Sequence, residues 1–192
     1  MTGLPRVGSL LMVLFVLYLM PALSVCGGEE GLLQAWDLGR LLVPESVSGR
    51  TVAIEGGCVV ESDPLPALRF DGVSTRITVP GMTAGDLPKR EITVEATVNL
   101  EAPERWGGLL GYVQDNGDYE KGWLLGYVND HFCFAVSTAG TLTYMEADSA
   151  AVMGRWYHVA GVYDGAVMRL YVNGRLAAES TAQKGDIDYP PT

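Results

Sequence analysis

Basic side chains are scarce in this chain: 13 Lys and Arg stand against 23 Asp and Glu, for a net charge of −10. Binding to phosphate backbones needs a cationic surface that releases counterions, so this balance argues against a nucleic-acid or anionic-membrane partner. Neutral and cationic ligands stay open. Histidine is reduced to His131 and His158, and neither has a nearby Ser or Cys in a nucleophile-elbow setting, which removes the starting material for a hydrolytic triad. The three cysteines, Cys26, Cys58 and Cys133, are widely spaced with no second Cys or His close by, so no zinc site is expected. Charged residues make up 19% against 48% hydrophobic, a balance outside the disordered class and sufficient to fill one core. No stretch of ten residues carries a helical period in the region past the first 28, and no internal repeat or low-complexity linker interrupts it.

One long stretch lacks charge altogether. Val7 to Gly28 is uncharged, Leu10 to Met20 is almost wholly apolar, and Arg6 precedes them, which predicts a signal helix over residues 1–26. Ala22-Leu23-Ser24 offers small residues for cleavage after Ser24. Lipidation at Cys26 and an uncleaved membrane anchor are the alternatives. Each of the three exports residues 29–192 as one domain, secreted, periplasmic or held at the cell surface, with membrane contact only through the N-terminal segment. In an oxidising compartment Cys58 and Cys133 either form a disulfide or stay two separate buried thiols.

The remainder reads as short strands. Between Glu91 and Glu101, Ile92, Val94, Ala96, Val98 and Leu100 share one face and Thr93, Glu95, Thr97 and Asn99 the other, the period of a strand with one face in a core. Further strands are expected at Leu32 to Trp36, Ala67 to Phe70, Arg76 to Val79, Gly108 to Val113, Gly122 to Val128, Phe132 to Val136, Arg155 to Tyr163, Val167 to Asn173 and Arg175 to Ser180. Asp164-Gly165 and Asn173-Gly174 tolerate positive φ and mark hairpin turns. The spacing predicts an all-β fold, an antiparallel two-sheet β-sandwich or jelly roll.

The run from Gly154 to Gly165, GRWYHVAGVYDG, continued by Met168 to Arg175, MRLYVNGR, resembles the laminin-G-like members of the concanavalin A-like lectin/glucanase superfamily. Ala67 to Gly72, Ile77 to Pro80 and the strand at Ile92 to Leu100 match the same family in the right order. The resemblance implies a jelly roll that serves as an accessory module of a larger secreted protein and binds glycans or extracellular proteins; some members hold calcium in a loop at the sandwich edge. It also implies closing strands after Thr192, so a gap or an unpaired edge is expected in the sheet. Asp115 to Trp123 further resembles the version found beside metallophosphoesterase domains in some exported bacterial proteins. That makes a downstream catalytic domain in the same reading frame the alternative function.

Within the chain itself no enzyme is expected. Glycosidases of this superfamily carry alternate Glu and Asp on one strand, and the Glu-x-Asp-x-x-Glu string is absent. Asp186-Ile187-Asp188 has the spacing of two but abuts prolines and lacks the trailing Glu. A binding site has better candidates. Asp115, Asn116 and Asp118 gather oxygens of the kind calcium prefers, although Asx and Gly residues are also what a hairpin loop needs. Tyr119 and Trp123, with Asp130 from the next turn, are the candidate glycan-binding residues; a ring that faces inward is core instead. His158, Trp36, Trp106 and Trp156 read as structural.

Overall fold

In a computed structural model the described residues are 10–18, 32–37, 53–56, 58–60, 67–102, 105–117 and 119–191. Along them run β1 (Leu10–Tyr18), β2 (Leu32–Asp37), β3 (Ala53–Glu55), β4 (Cys58–Val60), β5 (Ala67–Phe70), β6 (Arg76–Thr78), β7 (Ile92–Leu100) and β8 (Trp106–Asp115). There follow β9 (Glu120–Val128), β10 (His131–Thr138), β11 (Thr141–Glu146), β12 (Trp156–Tyr163), β13 (Met168–Val172) and β14 (Arg175–Ser180). A single 3-10 turn at Ala84–Asp86 is the one helical element among the described residues. The chain is all-β, as expected. One sheet runs β14-β13-β12-β7-β1-β5-β4 with β2 against β1, and the second runs β11-β10-β9-β8. Every pairing is antiparallel.

The core lies between these sheets, and alternation decides which side chains enter it. Ile92, Val94, Ala96, Val98 and Leu100 of β7 are buried and face Leu125, Phe132, Phe134 and Val136 of the four-stranded sheet. Opposite Phe134, β12 carries Gly161. A Cβ there would lie 2.4 Å from the Phe134 ring, so glycine is the residue that lets the two sheets close on a full aromatic ring. Asn173 at φ 51 and Gly174 at φ 74 close the β13–β14 hairpin, as the dipeptide demands.

Two expectations are corrected. Leu10–Tyr18 is not a helix: it is strand β1, hydrogen-bonded to β7 on one side and to β5 and β2 on the other. An uncharged run rich in Leu, Val and Phe suits a strand paired on both sides as well as it suits a leader helix, and periodicity cannot separate the two. It lies where the sheet would otherwise stand open between β5 and β7. The second concerns β11, which was not expected: its turn is Ala139-Gly140, with Ala139 itself at φ 51, and that dipeptide is not one of the usual hairpin signals.

The last residues form a latch across the fold. Buried Gln183 accepts from the Thr138 N–H at 2.9 Å and donates to the Thr141 carbonyl and the Thr143 hydroxyl. Ile187 bridges to Thr138, and the Tyr163 hydroxyl donates to the Gly185 carbonyl. Tyr189 donates to the Pro88 carbonyl and sets its ring edge-on to Tyr112. The tail thereby touches both sheets.

Candidate functional site

The outer face of the four-stranded sheet carries a groove built by small residues. Phe132, Phe134 and Val136 of β10 point into the core, so Cys133 and Ala135 point outward. In register across the sheet, Gly108, Gly126 and Cys133 form one row, and Gly111, Leu124, Ala135 and Tyr144 the next. A floor with so little side chain leaves room above it. Trp106 and Tyr144 sit on β8 and β11, the two edges of this sheet, about 14 Å apart in a flat arrangement of four strands. Their ring centroids are nevertheless 5.4 Å apart, edge to face. The side chains therefore arch over β9 and β10. An irregularity in β8 at Gly108/Leu110 bends that strand, and its far end delivers Asp115, whose carboxylate accepts from the Tyr144 hydroxyl at 2.8 Å.

These residues enclose a cavity of about 330 Å³ bounded by Trp106, Asp115, Leu124, Cys133 and Tyr144. Trp106 remains 54% exposed. Burial, and then the Asp115 carboxylate, raise the Tyr144 phenol far above its ordinary range, so it stays a neutral donor. An indole face, a fixed phenol–carboxylate pair and a floor of backbone can hold a flat, partly apolar ring that has polar edges.

The structure separates the residues proposed from the sequence. Asp115 belongs to this groove. Asn116 closes its own turn: its side-chain oxygen accepts from the Tyr119 N–H at 2.8 Å, and its own N–H donates back to the Tyr119 carbonyl. Tyr119 is half-buried, with the Lys121 ammonium 5.3 Å from its ring centre. Asp118 lies outside the described residues. Trp123 is 2% exposed and belongs to the core, so its ring is not offered to a ligand; it alternates inward with Leu125. Asp130 is not near the loop at all. It sits at the opposite end of β9, paired with His131 at 2.8 Å, and nine strand residues separate the two turns by about 30 Å. His158 pairs with Glu95 at 3.2 Å, in keeping with a structural role. Asp186 faces Arg90, and Asp188 accepts from the Gly140 N–H.

In the described part of the candidate calcium loop, one Asp115 oxygen accepts from the Tyr144 hydroxyl and the Asn116 side-chain oxygen accepts from the Tyr119 N–H. Among the described residues no group of three or more His, Cys, Asp or Glu gathers around a common point.

Of the two cysteine readings, a Cys58–Cys133 bridge or separate thiols, the structure shows Cys133 as a free, buried thiol on the outer face of its sheet, with Cys58 on β4 in the other sheet. Burial, helped by the Glu146 charge, pushes the Cys133 thiol up to about 12. Cys133 is accordingly expected to resist a maleimide at pH 8 in the folded protein and to react at once in denaturant; rapid labelling of the native protein contradicts the burial described.

Sequence reasoning missed Trp106 and Tyr144. Trp106 was read as packing, and Tyr144 lies on the unexpected β11. The signal that existed was the Gly107-Gly108 pair beside an aromatic residue, since glycine within a strand marks a bulge or a close approach.

Comparison with known proteins agrees with the fold. The profile of a laminin-G family, described as the concanavalin A-like lectin/glucanases superfamily, matches residues 71–191. Pappalysin-1 of Mus musculus is 27% identical over 171 residues, covering 82% of this chain and 10% of the relative. Pappalysin-1 of Homo sapiens is 28% identical over the same length and coverage. The chain thus spans about a tenth of the length of the curated relatives it matches. Among solved structures, domains LG4-5 of the mouse laminin alpha1 chain superpose with a TM-score of 0.42 at 12% identity, over 99% of this chain and 75% of that one. With the family profile matching more than half of its length, the chain belongs to the laminin-G-like branch of the concanavalin A-like lectin/glucanases superfamily.

Proposed function

We propose that this chain is an exported, non-catalytic recognition domain that binds neutral carbohydrate or an extracellular protein surface in the groove beneath Trp106 and Tyr144, as a module of a larger secreted protein. The observation that carries the reading is the exposed indole of Trp106 set over a glycine-rich floor beside a carboxylate. The net charge of −10 favours a neutral or cationic ligand. The length of the curated relatives supports a module of something longer.

Titration of the purified protein with a panel of neutral oligosaccharides, followed by indole fluorescence, tests the reading. Trp106→Ala is expected to weaken binding at least about 30-fold, as for the aromatic centre of an interface, with the melting temperature nearly unchanged. Unaltered affinity in that variant removes the groove from the function. In a second reading the domain targets a longer hydrolase, such as a phosphoesterase or glycoside hydrolase, whose active site follows residue 192; the tenfold length of the relatives favours it. Hydrolytic activity in a longer polypeptide, absent from residues 27–192, would separate the two.

A further inference from the structure

The formal charges on the outer face of the four-stranded sheet are of one sign. Alternation turns Asp115 of β8, Glu120 of β9 and Glu146 of β11 to that face, beside Leu124, Cys133 and Tyr144. Lys121, the one lysine or arginine on these four strands, lies on the opposite face with Trp123, and His131 is taken by Asp130 at 2.8 Å. Asp115 and Glu120 stand directly opposite one another across β8 and β9, and like charges so placed work against the sheet that holds them. Their partners are neutral donors: the Tyr144 hydroxyl reaches one Asp115 oxygen at 2.8 Å, and the Leu142 N–H one Glu120 oxygen at 3.1 Å. An ionised carboxylate accepts at both oxygens, so each keeps capacity for a charged donor.

The rings beside these carboxylates suit a cation as well. Trp106 is 54% exposed and meets the Tyr144 ring at 5.4 Å, and an exposed indole face attracts a positive charge placed within about 6 Å of its centre. The cavity below them, about 330 Å³, has the size for one long side chain. A guanidinium group is flat and permanently charged, stacks on aromatic faces, and offers its N–H donors in a fork that matches a carboxylate. A neutral sugar ring would stack on the same indole but leave the three carboxylates uncompensated.

We infer that the groove is a docking site for an arginine side chain presented by an extracellular protein partner, its guanidinium lying against the Trp106 indole and donating to Asp115. The inference rests on the recognition role proposed for this groove and chooses between its two ligand classes, taking the protein surface over the neutral carbohydrate. The net charge of −10 acts in the same direction, drawing a basic partner towards the chain before contact.

The test is a titration of the full chain with an end-blocked pentapeptide, Gly-Ser-Arg-Ser-Gly, and with its citrulline counterpart, which keeps the shape and lacks the charge. The indole N–H resonance of Trp106, identified by its loss in Trp106→Phe, is the readout. The arginine peptide is expected to bind at about 1 mM and at least about tenfold tighter than the citrulline peptide, with the difference shrinking as salt is raised. Asp115→Asn, which keeps the shape and removes the charge, is expected to bring the two peptides within about twofold of one another. Equal affinity for the two peptides in the unaltered chain overturns the arginine site. So does a neutral oligosaccharide that moves the Trp106 resonance while the arginine peptide does not, and in that case the recognition role of the groove stands. A resonance that neither peptide nor any oligosaccharide moves takes away the recognition role itself, and the arginine site with it.

Discussion

Phe134→Ala is expected to cost about 3–5 kcal/mol of stability, the range for removing a fully buried aromatic ring. The ring is 0% exposed and lies against the backbone of Gly161 in the opposing sheet. The reverse change, Gly161→Ala, is expected to cost about 1–3 kcal/mol by forcing a methyl group into that ring. Denaturant midpoints of the double variant decide whether the two act through one contact. Because the methyl group would occupy space the ring has vacated, the combined cost should fall well below the sum. Costs that add within about 0.5 kcal/mol would show that Phe134 and Gly161 do not share that space.

Gly122→Ala is the second large effect, about 3 kcal/mol or more. Gly122, the third residue of β9, has φ 106, and a Cβ there would fall 1.8 Å from the Tyr112 carbonyl oxygen. That contact is with backbone, so no rotamer change relieves it. Gly117 is the internal control. It too has a positive φ, 83, but nothing lies within 4 Å of its added Cβ, so Gly117→Ala should cost only the left-handed penalty of about 1–2 kcal/mol. Equal losses at the two sites would refute the collision. A Gly122 variant should also lose the groove, because the β8–β9 ladder that ends at Asp115 and Glu120 positions the Asp115 carboxylate.

What could be read from the chain alone follows the range of the forces involved. The inward set of β7 was legible because burial on one face writes a period of two into nine consecutive residues. Asn173-Gly174 was legible because a left-handed pair is a local requirement. The groove was not. Trp106 faces solvent because β8 bends at Gly108/Leu110, and Tyr144 meets it only because the two strands between them carry small residues. Both conditions are set by partners 22 and 9 positions away in sequence, through the pairings of Trp106 with Val128 and Ala135 with Tyr144. Asp130 failed for the opposite reason: a turn near in sequence lies a full strand length away in space. Leu10–Tyr18 failed because a run without polar residues carries no period to read.

The C-terminal latch sets how this domain would carry load. A pull on the polypeptide at residue 191 reaches the body of the fold through Tyr189, Ile187 and Gln183, which are fastened to Pro88, Lys89 and the β10–β11 turn. Tension is thereby divided between the two sheets before it can peel the edge strand β14. The same tail also holds the end of β8 that carries Asp115, because the Gly122 N–H donates to the Asp188 carbonyl at 2.6 Å and Gly122 pairs with Val113. Load that loosens the tail is therefore felt first at the Asp115 end of the groove, while Trp106 at the other end of β8 is held by its pairing with Val128.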